Sequence, residues 1–131
     1  MSATLPASVR ALLVAAAGEA HPREACGLLL GKGEHITAAT VAANVHPDPV
    51  RHFEIDPAAL LAAHKAARAG GPQVLGYWHS HPNGSPDPSD EDRALAAGEG
   101  RLWAIVANGA ISVWRSEPDG FKPLPSSVRA G

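Results

Sequence analysis

Val74-Leu75-Gly76-Tyr77-Trp78-His79-Ser80-His81-Pro82-Asn83-Gly84-Ser85-Pro86-Asp87-Pro88-Ser89-Asp90-Glu91-Asp92 brings an apolar strand, paired imidazoles and a helix start together in one run. Val74 to His81 reads as a strand held to the core by Val74 and Leu75, and side chains of a strand alternate between its two faces. His79 and His81 therefore share a face, while Ser80 points to the other and reads as packing. Three prolines between Pro82 and Pro88 stiffen the loop that follows, which lowers the entropy lost in holding a ligand. Ser89-Asp90-Glu91-Asp92 is then a helix N-terminus, with Ser89 as N-cap, an acid three residues on, and negative charge against the helix dipole. Alone, that acid is only a cap. Swung back by the loop, the Asp92 carboxylate joins the two imidazoles, and two nitrogens with one carboxylate oxygen are the donors of a catalytic zinc site whose fourth position is left for water. Asp87 and Asp90 are the competing carboxylates of the same run.

Upstream, Ala25-Cys26-Gly27-Leu28-Leu29-Leu30-Gly31 is a short, continuously apolar run between breakers, as expected of a strand covered on both sides. Glu24 stands at its mouth, where a carboxylate taken alone is a surface residue. Cys26, beside Gly27 in an apolar run, reads as buried packing rather than a reactive thiol. From Pro6 to about Ala20, apolar residues at Val9, Leu12, Leu13 and Ala16 make the stripe of a one-sided helix. Pro6 suits its first turn, and Gly18 and Pro22 mark its end. Arg10 alone precedes Leu12-Leu13-Val14 as a basic residue, which disfavours a signal peptide.

Lys32-Gly33-Glu34 turns the chain into a second strand over 36–44. His52-Phe53-Glu54-Ile55 alternates like a strand end, and Asp56-Pro57 opens a helix with Asp as N-cap and Pro at its first position, running through Leu60, Leu61 and His64 to Gly70-Gly71. Leu102 to Ala107 and Ala110 to Trp114 flank Asn108-Gly109, the strongest short hairpin signal there is. After Arg115 the chain is rich in Pro, Ser and Gly, so 117–131 reads as a frayed loop and tail behind a domain at 1–116. Helices, strands and hairpin in this order predict an α/β sandwich with a mixed sheet.

The 131 residues are one domain's worth. A formal net charge of -2 with 18% charged residues leaves no basic field for a phosphate backbone, so nucleic acid is not an expected partner. A single cysteine excludes an internal disulfide and a cysteine-rich zinc cluster. It also excludes the paired cysteines of a zinc deaminase. H-E-x-x-H is absent, which removes the zincins. An iron oxygenase uses a similar donor set and is separated from a zinc enzyme by measuring the metal. No segment is long enough to span a membrane.

H-S-H-P at His79-Ser80-His81-Pro82, six more residues, then S-x-x-D at Ser89 and Asp92, with Glu24 upstream in P-x-E-x-C-G-L-L-L-G, resembles the JAMM (MPN-plus) zinc metalloproteases. The likeness runs from about Leu5 to about Arg115, and no required position departs from the pattern. It implies the cytidine deaminase-like three-layer sandwich, one zinc held by His79, His81 and Asp92, Glu24 as general base and Ser89 as donor to the oxyanion. Chemically those roles suffice: zinc lowers the pKa of its water to roughly 7 and polarises a carbonyl. A contact such as that of Ser89 is worth about 3 kcal/mol elsewhere. The resemblance further implies a cytoplasmic peptidase or isopeptidase cutting after the terminal Gly-Gly of a ubiquitin-like or sulfur-carrier protein. Its alternative is a catalytically silent interaction scaffold of the same fold, which usually lacks the ligands. The pattern carries no statement of oligomeric state.

Overall fold

The computed structural model describes residues 2–129. Its centre is β4 (Gln73–Ser80), flanked by the antiparallel β2 (Cys26–Lys32) and the parallel β5 (Leu102–Ala107). The remaining strands are β1 (Ala3–Pro6), β3 (His35–Ala42), β6 (Ala110–Glu117), β7 (Gly120–Leu124) and β8 (Ser126–Arg129). They join into one mixed sheet of order β7-β6-β5-β4-β2-β3-β1-β8. Three helices complete the α/β fold: α1 (Ala7–Ala20), α2 (Pro57–Arg68) and α3 (Asp90–Leu95). None is long and apolar enough to cross a membrane.

Strand alternation sorts the core into two layers. Trp78, Ala104 and Val113 pack with Leu13 and Val9 of α1 on one side. Cys26, Trp103 and Phe53, with Tyr77, Trp114 and Phe121, form the other. Two glycines permit the tight centre. A Cβ at Gly76 would lie 1.8 Å from the Leu102 carbonyl oxygen, and one at Gly27 would lie 2.4 Å from Trp78 Nε1. Through the gap at Gly27 the Trp78 indole N–H reaches from β4 across β2 to the Thr40 carbonyl of β3, at 2.8 Å. The indole is thereby both buried and paired, as a buried Trp requires.

Most elements lie where the sequence places them. Asp56 caps α2 by accepting from Ala58 N at 3.0 Å, with Pro57 at the first helical position. Asn108 and Gly109 both take positive φ, 51° and 75°, which suits a two-residue hairpin between β5 and β6. Three expectations are corrected. The segment 117–131 is not a loop and tail: within the described residues it carries β7, paired with β6, and β8, paired in parallel with β1. The unforeseen β1 exists because β8 and β3 flank it, partners remote in sequence that no local pattern reports. His52 to Ile55 contributes only an isolated bridge between Asn44 and Ile55. Leu12, expected on the buried stripe of α1, is 40% exposed, while Val9 and Leu13 carry the contact.

Candidate metal centre

β4 ends by delivering His79 and His81 to one spot, both buried. The capping box of α3 fixes the third group. Ser89 Oγ accepts from Asp92 N at 3.0 Å, and the Asp92 carboxylate accepts from Ser89 N at 2.9 Å. With the prolines of the loop, that reciprocal pair turns Asp92 inward, to 2% exposure. Asp87 and Asp90 do not join it: both are exposed, and Asp90 pairs with Arg93 at 3.7 Å.

The donor atoms form a nearly equilateral triangle. His79 Nε2 and His81 Nε2 are 3.0 Å apart, and each lies 3.1 Å from Asp92 Oδ2. Hydrogen bonding alone does not satisfy such an arrangement. His81 Nδ1 lies 2.8 Å from the Ser85 carbonyl, so its proton sits there and Nε2 presents a lone pair. Each of the three atoms then faces two others, and one proton at most can serve the two nitrogens along straight lines. A cation common to all three satisfies them, and tetrahedral zinc with bonds of about 2.0–2.2 Å sets its donors roughly 3.3 Å apart. The residues thus fit a zinc ion.

Glu24 stands next to this triangle. Its carboxylate and the two imidazoles have donor atoms within 4.8 Å of one another, so Glu24 is the rival of Asp92 for a place as ligand. Distance and electrostatics separate them. Burial works against the Asp92 anion, but the adjoining His79 and His81 imidazoles and the donating Ser89 N–H outweigh it and hold Asp92 well below the usual carboxylate range. Burial pushes Glu24 up to about 7; the charge of His81 opposes the rise, and Asp92 and Glu91 add to it. The two buried carboxylates are thus pushed in opposite directions, the pattern of groups with different roles at one site. Burial lowers His79 against the pull of Asp92. For His81 the burial penalty is overcome by its bonds to Asp92 and Ser85, and it is raised. Cys26, opposite His79 on β2, is fully buried and pushed up to about 12 by burial and then by Glu24, so it is packing.

Two features around the site went unrecognised in the sequence, an aromatic pair and an asparagine. Phe53 stacks on His79, with ring centroids 4.3 Å apart and planes at 17°, and Trp103 meets the same imidazole edge-on at 5.8 Å. His79 Nδ1 has no hydrogen-bond partner among the described residues, so this aromatic clamp orients the ring where a second hydrogen bond usually does. Asn44 is the other. Its Nδ2 donates to the Glu24 and His52 carbonyls at 3.0 Å each, and its Oδ1 accepts from His46 N and Glu54 N at 3.1 Å. A lone Phe or Asn carries no spacing signal for such work. A cleft of about 700 Å³ opens over the site, lined by His21, Glu24, Arg51, His81, Ser89 and Arg93.

Residues 6–117 match the model of a family described as prokaryotic homologs of the JAB domain. A desampylase of Haloferax volcanii is 33% identical over 82% of this chain and 79% of its own length. A probable TtuB-protein conjugate cleaving protease of Thermus thermophilus is 41% identical, over 54% of this chain and 47% of that protein. The solution structure of a Desulfitobacterium hafniense protein superposes with a TM-score of 0.82 at 30% identity, covering 98% of this chain and 93% of that one.

Proposed function

The chain belongs to the prokaryotic JAB-domain family, and from that premise we propose that it is a zinc-dependent isopeptidase that hydrolyses the amide bond after the C-terminal Gly-Gly of a ubiquitin-like or sulfur-carrier protein. The observation that carries this reading is the closed triangle of His79 Nε2, His81 Nε2 and Asp92 Oδ2 with a neutral-range Glu24 beside it. The Haloferax relative, a desampylase, and the Thermus relative, a probable TtuB-protein conjugate cleaving protease, support the substrate class. The reaction belongs in the cytoplasm. The catalytic unit is residues 1–116, since the described part of 117–131 supplies strands but none of the site's residues. A silent scaffold finds no support in a site that keeps every donor.

His79, His81 and Asp92 would hold one zinc ion. When bound, zinc supplies Lewis acidity toward the scissile carbonyl and makes a water more acidic. Glu24 Oε accepts the proton of the attacking water and returns it to the departing nitrogen, a role its place beside the two imidazoles allows. Ser89 Oγ already accepts from Asp92 N, and its own hydroxyl proton remains to donate to the carbonyl oxygen as negative charge builds there. Ser85 O holds the tautomer of His81, and Phe53 and Trp103 hold the plane of His79.

The test is to incubate the zinc-loaded protein with sulfur carriers bearing C-terminal extensions or lysine conjugates and follow their masses. Cleavage after Gly-Gly is expected, and Glu24→Gln should lower kcat by about 100-fold or more with zinc stoichiometry unchanged. An equally active Glu24→Gln with normal metal content refutes the base assignment.

A further inference from the structure

Glu24 is two residues from the start of β2, and three successive main-chain groups around it are held by partners outside the sheet ladder. The Glu24 N–H donates to the Pro49 carbonyl at 2.7 Å, the Glu24 carbonyl accepts from Asn44 Nδ2 at 3.0 Å, and the next N–H, that of Ala25, donates to Ser80 Oγ at 2.8 Å. The last of these departs from the rule. Opposed residues at a hydrogen-bonded position of an antiparallel pair exchange two main-chain bonds. Ala25 and Ser80 make one of them, Ser80 N–H to Ala25 O at 3.0 Å. The other donor, Ala25 N–H, is taken by the serine's side chain.

We propose that Ser80 is a positioning residue for Glu24: its hydroxyl oxygen stands in for a main-chain carbonyl and tethers the chain where Glu24 must turn its carboxylate to the imidazoles of His79 and His81. This rests on the reading of Glu24 as the proton carrier. The serine is 4% exposed and borders a cavity of about 420 Å³ with Val14, Ala17 and Val106, on the α1 side of the sheet. Its oxygen accepts from the Ala25 N–H, so its effect on Glu24 passes through the backbone. Any small residue would fill the position between two ligand histidines. Only one with an oxygen on Cβ meets the Ala25 N–H, which is otherwise a buried donor left unpaired. The cavity gives the extra methyl of a threonine room, so hydroxyl and volume can be varied separately.

The experiment compares wild type, Ser80→Ala, Ser80→Thr and Glu24→Gln as zinc-loaded full-length protein. The measurements are kcat, KM, zinc stoichiometry and hydrogen exchange of the Ala25 amide by NMR. Ser80→Ala is expected to lower kcat about 10- to 100-fold, the cost of a small misplacement of a reacting group, with KM and zinc content unchanged and Ala25 exchange accelerated. Ser80→Thr should restore both kcat and amide protection. If Ser80→Ala does not fold, Ser80→Cys, which fills the same space with a weaker acceptor, is measured in its place with the same expectations. The inference is overturned if Ala25 exchange accelerates while kcat stays at the wild-type level. It is equally overturned if the loss appears as lost zinc, or in KM alone, or if threonine does not rescue. A Glu24→Gln protein with wild-type kcat instead removes the underlying reading of Glu24. Failure confined to the Ser80 variants leaves that reading standing.

Discussion

Glu24 and Asp92 are both buried carboxylates beside the same two imidazoles, and the structure drives them to opposite protonation behaviour. The difference lies in neighbours: Asp92 has both imidazoles and the Ser89 N–H against it, whereas burial is the largest influence on Glu24 and outweighs the attraction of His81. For the metal-free protein this has a consequence for stability. A carboxyl raised from 4.5 to about 7 on folding costs nothing while protonated in both states, below 4.5, and its full penalty applies above about 7. Glu24→Gln, which removes the penalty, should therefore leave metal-free stability nearly unchanged at pH 4.5 and raise it by up to about 3 kcal/mol at pH 8. Urea unfolding of both proteins across that range measures it, and a constant offset would contradict the assignment of the shift to burial. At this scale the donor types were legible, because His-x-His and a capping box are short patterns. Phe53 and Asn44 were not: their contacts to His79 and Glu24 cross tens of residues and leave no spacing to read.

β4 is the element on which the site depends, since it is central in the sheet and its C-terminal end carries His79 and leads directly into His81. Its pairing to β5 is close enough at Gly76 that any side chain there meets the Leu102 main chain, at 1.8 Å from the oxygen. Gly76→Ala should force the two strands apart and destabilise the fold by about 3 kcal/mol or more. Thermal unfolding would show it, and an unchanged midpoint would mean that the strands can shift without penalty. The strands and helices with strong local codes were all readable: the apolar run of β2, the Asn-Gly hairpin, the Asp56-Pro57 start of α2, the Ser89 cap of α3. β1, β7 and β8 are short and rich in polar residues or proline, and they are strands because neighbours supply their hydrogen bonds.

Across the whole molecule, the terminal segments meet: β8 pairs with β1 through Ala3↔Ser126, Thr4↔Ser127, Leu5↔Val128 and Pro6↔Arg129, and β1 leads straight into α1. Truncation after Leu124 should thus strip the outer edge of β1 and lower the melting temperature by several degrees, about 4–8 °C for each kcal/mol lost in a domain of up to about 100 residues and somewhat less here. Zinc stoichiometry of the truncated protein should be unchanged, because no donor lies beyond Asp92. A truncation without thermal effect would make the segment 125–131 a dispensable tail. The sequence alone determined the paired imidazoles, the Ser89 cap, the family pattern and the mixed α/β plan, for these rest on periodicity and spacings of a few residues, which backbone geometry enforces wherever the chain goes. Only the tertiary structure decided the outer strands, the aromatic clamp on His79 and the substitution of the Ser80 hydroxyl for a carbonyl. Each is a bond between groups brought together by the completed fold, and such partners have no fixed separation along the chain.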